Sequence, residues 1–185
     1  MTSFIVDAGG GIDMRMNINI VEDEVTVPDY AIINEDKICG FFGEHRFLSN
    51  FYPCKVGVYW LGTLFPSTEH AYQAAKFPKK YHKEFVDVTA AKSKKLAREI
   101  AKADPTLYND EMWCMVKDTV MSQLVFQKFT NNIDLKNMLL STGQKHLEET
   151  NSWGDVYWGT CNGKGMNKLG KILMATRGYI KTTEL

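Results

Sequence analysis

The chain has 185 residues, with 22 Lys plus Arg against 22 Asp plus Glu, 44% hydrophobic residues and 12% aromatic ones. That length suits one domain, and the composition excludes a disordered or collagen-like chain. A formal charge of zero argues against a surface that grips long nucleic acid by bulk electrostatics, while leaving room for a local basic pocket.

No apolar run approaches the ~20 residues that a membrane helix needs. The opening residues MTSFIVDAGGGIDMRM lack the basic and apolar regions of a secretory signal. The cysteines Cys39, Cys54, Cys114 and Cys161 form no CxxC and have no His at zinc spacing. The expectation is a reduced, cytoplasmic chain with no membrane contact and no metal site.

Residues 1–36 differ from the rest. A glycine run, Gly9 to Gly11, precedes two alternating stretches, MNINI and EVTV, which suit a small hairpin or arm. The domain proper is expected over 37–185. KICGFFG and CKVGVYWLGTLF read as short strands, with Leu61-Gly62 as a hairpin turn. Ser67 is expected to cap a helix over about 68–77 that stops at Pro78, with Glu69 in its first turn.

VTAAKSKKLAREIAKAD reads as a helix capped by Thr89, its basic face solvated. The segment from Asn109 to Asn132 is the longest helical candidate, with Trp113, Val116, Val120 and Leu124 as its apolar stripe. IDLKNMLLSTG reads as a short helix capped by Asp134 and closed by Gly143. HLEETNSWGDVYWGTCNGKG is turn-rich. A final helix is expected over about 167–179, with Leu169, Ile172, Leu173 and Thr176 on one face. The fold class is α+β: one predominantly helical domain with a few short antiparallel strands.

Three segments carry chemistry. In FPSTEHAYQAAKF, helical spacing places Glu69, Tyr72, Gln73 and Lys76 on one face. A solvated Glu–Gln–Lys stripe and a functional row both fit that spacing. His70 lies off this face and reads as a hydrogen-bonded packing residue, since no second ligand lies at metal spacing. In EETNSWGDVYWG, Glu148, Glu149 and Asp155 lie among Trp153, Tyr157 and Trp158. Carboxyls beside aromatics serve as acids or bases, although a turn with aromatic anchors fits equally. In CNGKGMNKLGKI, Gly163 and Gly165 let backbone approach a ligand, and Asn167 opens a helix. Lys164 and Lys168 add charge to what reads as an anion site.

Gly165 to Lys171 also matches GxxxxGK, but Ile172 stands where a Ser or Thr would hold magnesium and no strand feeds the loop. The match reads as accidental. Ser67 has no GxSxG context, Cys114 beside Trp113 reads as core, and Gly40 to Gly43 lacks an RNA-recognition pattern.

Taken in order, SNFY at 49–52, FPSTEHAYQAAKF at 65–77, Trp113 with KDTVM, KF at 128–129, LLSTG at 139–143, DVYWG at 155–159 and GxNxLGxxLMxxR from Gly165 to Arg177 resemble the YbiA-like, or NADAR, family. The resemblance covers about residues 40–179. It implies an N-glycosidase that needs no cofactor and cleaves the bond between ribose C1 and an exocyclic amine. The substrates it implies are ribosylaminopyrimidine phosphates of riboflavin synthesis, or ADP-ribosylated guanine in nucleic acid. In the second case an ADP-ribosyltransferase toxin would be the counterpart. A non-catalytic module that binds ADP-ribose or NAD-type nucleotides is the alternative.

By motif match, the resemblance places Glu69, Asp155 and Lys76 as catalytic. It places Trp113, Asn50, Tyr72 and Trp158 around the substrate. Gly163, Lys164, Gly165, Asn167 and Arg46 are then expected to hold its phosphate. Glu69 would stabilise charge at C1 or protonate the leaving amine, Asp155 would activate water, and Lys76 offers a Schiff-base route. Trp113 also fits the stripe of its helix, so packing alone accounts for it.

Overall fold

A computed structural model describes residues 27–183. The stretches MNINI and EVTV begin outside that range. Strand β1 (Ile32–Ile33) pairs antiparallel with β2 (Lys37–Cys39). A 3-10 turn follows over Gly43–Leu48. Strands β3 (Val58–Trp60) and β4 (Thr63–Phe65) form the expected hairpin. Leu61 at φ +46° and Gly62 at φ +79° make its turn. Positive φ at both central residues matches the right-handed twist of the flanking strands.

Next come α1 (Thr68–Ala74), α2 (His82–Val86), α3 (Ala90–Ala103), α4 (Asp110–Asn131) and α5 (Ile133–Ser141). The chain closes with β5 (His146–Glu148), β6 (Thr150–Asn151), β7 (Thr160–Cys161), β8 (Lys164–Gly165) and α6 (Lys168–Thr183). The architecture is α+β and mostly helical, as expected. The antiparallel expectation needs one correction: β5 pairs parallel with β2, and β7 pairs parallel with β6. A parallel pair joins segments through a crossover, and no local pattern announces which segments will meet.

Helix α4 is the axis of the core. Val120, Met121, Leu124, Val125 and Phe129 are buried on it, and α1, α5 and α6 pack against it. Leu135 and Leu139 of α5 and Leu169, Leu173 and Ile180 of α6 close the other sides. Each such side chain contributes roughly 1.5–3 kcal/mol on burial. Val116 is not part of this stripe; it is 47% exposed. The buried face of α4 runs through Met121, Val125 and Lys128 toward Phe129, and Val116 falls off its edge. Trp113, Val120 and Leu124 of the expected stripe are buried, and Lys128 is buried among them further along the helix.

Capping differs in detail. Thr89 caps α3 by accepting from Lys92 N–H. Ser67 occupies the cap position of α1, yet its hydroxyl meets His70 Nδ1 at 2.7 Å. His70 Nε2 meets the Val88 carbonyl at 2.9 Å, so this histidine is the packing residue expected. Asn132, not Asp134, stands at the start of α5. Asp134 pairs with Lys55 at 2.8 Å instead. Helix α6 begins after Asn167, which takes φ +48°, and runs to Thr183.

Candidate active site

All seven residues of α1 are buried, the polar ones included. Buried polar groups need partners, and this helix supplies them in series. Gln73 Nε2 donates to Glu69 Oε1 at 2.8 Å, and Lys76 Nζ donates to Gln73 Oε1 at 2.7 Å. The solvated-stripe reading is thereby set aside. The helix ends at Ala74, earlier than expected, and tightens into i→i+3 bonds from Lys76 N–H to Gln73 and from Phe77 N–H to Ala74. Lys76 therefore sits on a turn. Its ammonium lies 5.3 Å from the Tyr72 ring centroid and 5.7 Å from that of Trp113.

Tyr72 is the centre of an aromatic wall. Its ring lies 5.0 Å from Trp113 and 5.5 Å from Trp158. Trp113, 8% exposed, packs in the core and joins this wall. Opposite α1, the Ser49–Asn50 segment completes the frame. The Asn50 carbonyl accepts from Glu69 N–H at 2.9 Å, and the buried Asn50 Oδ1 has no partner. Asn50 Nδ2 approaches Met121 Sδ at 3.4 Å.

Asp155 enters on the loop between β6 and β7. Its Oδ1 accepts from Tyr157 N–H at 3.0 Å and Trp158 N–H at 2.9 Å. Asn151 pins the same loop, donating to the Asp155 carbonyl at 2.7 Å and accepting from its N–H at 3.0 Å. The carboxylate is thus held by backbone geometry rather than by packing.

The electrostatics follow from burial. Desolvation pushes the Glu69 carboxyl above the usual range, against the pull of Gln73 and Lys76. The Asp155 charge adds to that rise, so the two carboxyls act on each other. Desolvation lowers the Lys76 ammonium to about 8. Burial also raises the Tyr72 phenol. Lys94 and Arg98, exposed on α3, act on Lys76 as further positive charges. Their side of α3, expected to be merely solvated, borders the site.

The glycine segment is not the anion cradle that its sequence suggests. Gly163 sits in the turn between β7 and β8, with Lys164 and Gly165 exposed on β8. The amides that lead from this turn into α6 are taken. Met166, Asn167, Lys168 and Leu169 donate to the carbonyls of Val156, Gly159, Tyr157 and Trp158. The Asn167 side chain bridges Glu149 N–H at 3.1 Å and the Leu147 carbonyl at 2.9 Å. Lys168 pairs with Asp118 at 2.7 Å. These residues build the floor that carries the Asp155 loop. Gly170 and Lys171 lie inside α6, away from any phosphate loop. Arg46 is half-buried in the 3-10 turn before Asn50, and Arg177 is spent on Thr142 and the Lys145 carbonyl.

Two further titratable residues lie near the site: Lys128, which the sequence reading passed over, and Glu149, which it named among the carboxyls beside aromatics without giving it a role. Lys128 is 1% exposed and donates to the Ser49 carbonyl at 2.7 Å. Glu149 carries a carboxyl oxygen sealed from solvent without a partner. The signal for Lys128 was a lysine centred in the buried face of α4. The signal for Glu149 was its place with Glu148 and Asp155 among aromatic residues, which did not tell the three carboxyls apart. Among the described residues no group of three or more His, Cys, Asp or Glu is arranged to hold a metal.

The fold and site define an α+β domain in which a buried carboxyl, Glu69, and a half-buried one, Asp155, lie near an aromatic wall. Residues 40–181 match the NADAR domain. A riboflavin biosynthesis protein of Vibrio vulnificus is 40% identical over 72% of this chain, which spans 35% of that protein's length. N-glycosidase YbiA of Escherichia coli is 33% identical, covering 78% of this chain and 89% of its own length. An N-glycosidase of Nostoc punctiforme is 33% identical over 72% of this chain and 84% of its own. The NMR structure of E. coli YbiA superposes with a TM-score of 0.65 at 30% identity, covering 83% of this chain and 90% of that one. The chain belongs to the NADAR family, and as such it is an N-glycosidase.

Proposed function

We propose that this enzyme hydrolyses the bond between ribose C1 and an exocyclic amine of a phosphorylated ribosylaminopyrimidine, an early intermediate of riboflavin synthesis. The observation that carries the reading is the buried Glu69–Gln73–Lys76 chain set against the Tyr72, Trp113 and Trp158 rings, with the Asp155 charge acting on Glu69. Breaking the C1–N bond develops positive charge on the ribose, which a fixed carboxylate stabilises. Glu69 takes that role. Asp155 Oδ1 is occupied by two amides, which leaves Oδ2 to accept a proton from water. Trp113 supports the flat base. Lys94 and Arg98, one helical turn apart beside Lys76, draw in the phosphate.

Lys76 favours a second route. Its ammonium is lowered to about 8, so a usable fraction is neutral amine. That amine adds to C1 of the ring-opened ribosylamine, the pyrimidine amine departs with a proton, and water hydrolyses the imine. Trapping with cyanoborohydride distinguishes the routes: a ribose-phosphate adduct on Lys76 supports the second, and its absence during turnover supports the first.

The test of the function is a paired hydrolysis assay. Purified protein meets the ribosylaminopyrimidine phosphate in one tube and guanine-linked ADP-ribose on DNA in another. Turnover of the first is expected. Selective turnover of the second would make the enzyme a nucleic-acid de-ADP-ribosylase, with a toxin as its counterpart. Tight binding without product over hours would make it a nucleotide-binding module. No helix among the described residues is long and apolar enough to cross a membrane. Four free thiols support a reducing, cytoplasmic setting.

A further inference from the structure

Hydrolysis of a ribosylamine sets three tasks: charge stabilisation at C1, activation of water, and a proton for the departing nitrogen. Glu69 and Asp155 account for two. Glu149 is a third carboxyl, within the field of Asp155 and Glu69, and its backbone is clamped. Its N–H donates to Asn167 Oδ1 at 3.1 Å and its carbonyl accepts from Thr160 N–H at 2.8 Å. Its neighbour Glu148 turns to the Thr160 hydroxyl and the Cys39 thiol. The Glu149 side chain takes the other side, where Asp155, Lys128 and Glu69 are the charges that act on it.

Glu149 Oε2 is sealed from solvent with no hydrogen-bond partner. Lys128, the cation in that set, is engaged with the Ser49 carbonyl and lies over the Phe129 ring at 5.0 Å. An unpartnered buried acceptor costs about 1–3 kcal/mol. Such a group persists where a ligand completes its bonding. An ionised Glu149 would also set a third negative charge beside two others in a buried place. Burial, with Asp155 adding to it, pushes this carboxyl up to about 8, which keeps it a proton donor at neutral pH.

We infer that Glu149 is a catalytic residue, the general acid that protonates the departing exocyclic nitrogen as the C1–N bond breaks. The inference rests on the function proposed above. The electron pair of the C1–N bond goes to nitrogen, which takes the Glu149 proton. Water gives its proton to Asp155 and forms the new C1–O bond. After product leaves, Asp155 gives up its proton and Glu149 regains one through exchange with solvent, so the enzyme is restored and the sum is hydrolysis.

The test compares wild type with Glu149→Gln on the ribosylaminopyrimidine phosphate and on a ribose phosphate bearing a nitrophenolate leaving group, which departs without a proton. On the first substrate kcat should fall about 100-fold or more, with KM and melting temperature nearly unchanged. On the second, the variant should match wild type. A kcat within about threefold of wild type on the first substrate, a loss confined to KM, or equal losses on both substrates would overturn the assignment. If Glu149→Gln unfolds, Glu149→Asp is read by the same criteria. Glu69→Gln serves as the control. Should it keep full activity, the site itself is wrong; should it fail on both substrates while Glu149→Gln loses nothing, only the role of Glu149 falls.

Discussion

Glu69 is the residue on which the site turns, because it is buried, paired through Gln73 to Lys76, and within the field of Asp155. Glu69→Gln keeps the shape and the bond to Gln73 while removing the charge. We expect kcat to fall about 10²–10³-fold with ligand binding retained, read by steady-state kinetics and calorimetric titration. Glu149 also marks stability. Its folded value of about 8 lies above the ordinary 4.5, so the folded state holds its proton longer. Stability from this source is full below about 4.5 and is lost as pH rises to about 8. Lys128 is lowered to about 8 from 10.5, so its burial penalty eases only as pH climbs above about 8. The melting temperature should therefore decline from pH 5 toward 8, and Glu149→Gln should flatten that decline. An unchanged slope in the variant would show that Glu149 does not titrate there.

At the scale of elements, α6 sets where the Asp155 loop can lie. A Cβ on Gly170 would collide with the Leu147 carbonyl and the Asn167 side chain, so the glycine lets α6 press against β5. Gly178, on the same helix, has open space where a methyl group would point. Gly170→Ala should thus cost upward of about 2 kcal/mol, whereas Gly178→Ala should gain about 0.5–1 kcal/mol from helix propensity. Thermal unfolding of the pair checks both signs at once. Elements are also the scale at which local sequence patterns read most directly. The hairpin turn at Leu61-Gly62, the Thr89 cap and the long α4 all follow from local chemistry. The patterns mislead at Val116, which lies on the exposed side of α4, and at Asp134, which pairs with the distant Lys55.

At the scale of the molecule, the site is a meeting of segments far apart in the chain: Ser49–Asn50, α1, the start of α4, and the loop from β6 to β7. The flank of α3 adds positive charge next to them through Lys94 and Arg98. If that charge receives the phosphate, Lys94→Ala with Arg98→Ala should raise KM about tenfold for the phosphorylated substrate. The dephosphorylated one should be nearly untouched. Equal effects on the two substrates would assign the pair to general stability. The proposed mechanism runs on carboxyls and calls on no metal, so turnover should persist in EDTA. Loss in EDTA that added metal restores would overturn the carboxyl mechanism.

By itself the sequence determined the class of the fold, the extent of most helices and the family, and it put forward Glu69, Trp113 and Asp155 as candidates. Periodicity, caps and ordered motifs are local, and they are written in neighbouring residues. Only the tertiary structure decided that the polar row of α1 is buried, that the glycine segment is a floor rather than a phosphate cradle, and that Lys128 and Glu149 face the same centre. Burial and charge coupling are properties of residues brought together from distant parts of the chain, and a Glu that titrates at about 8 reads in sequence like any other.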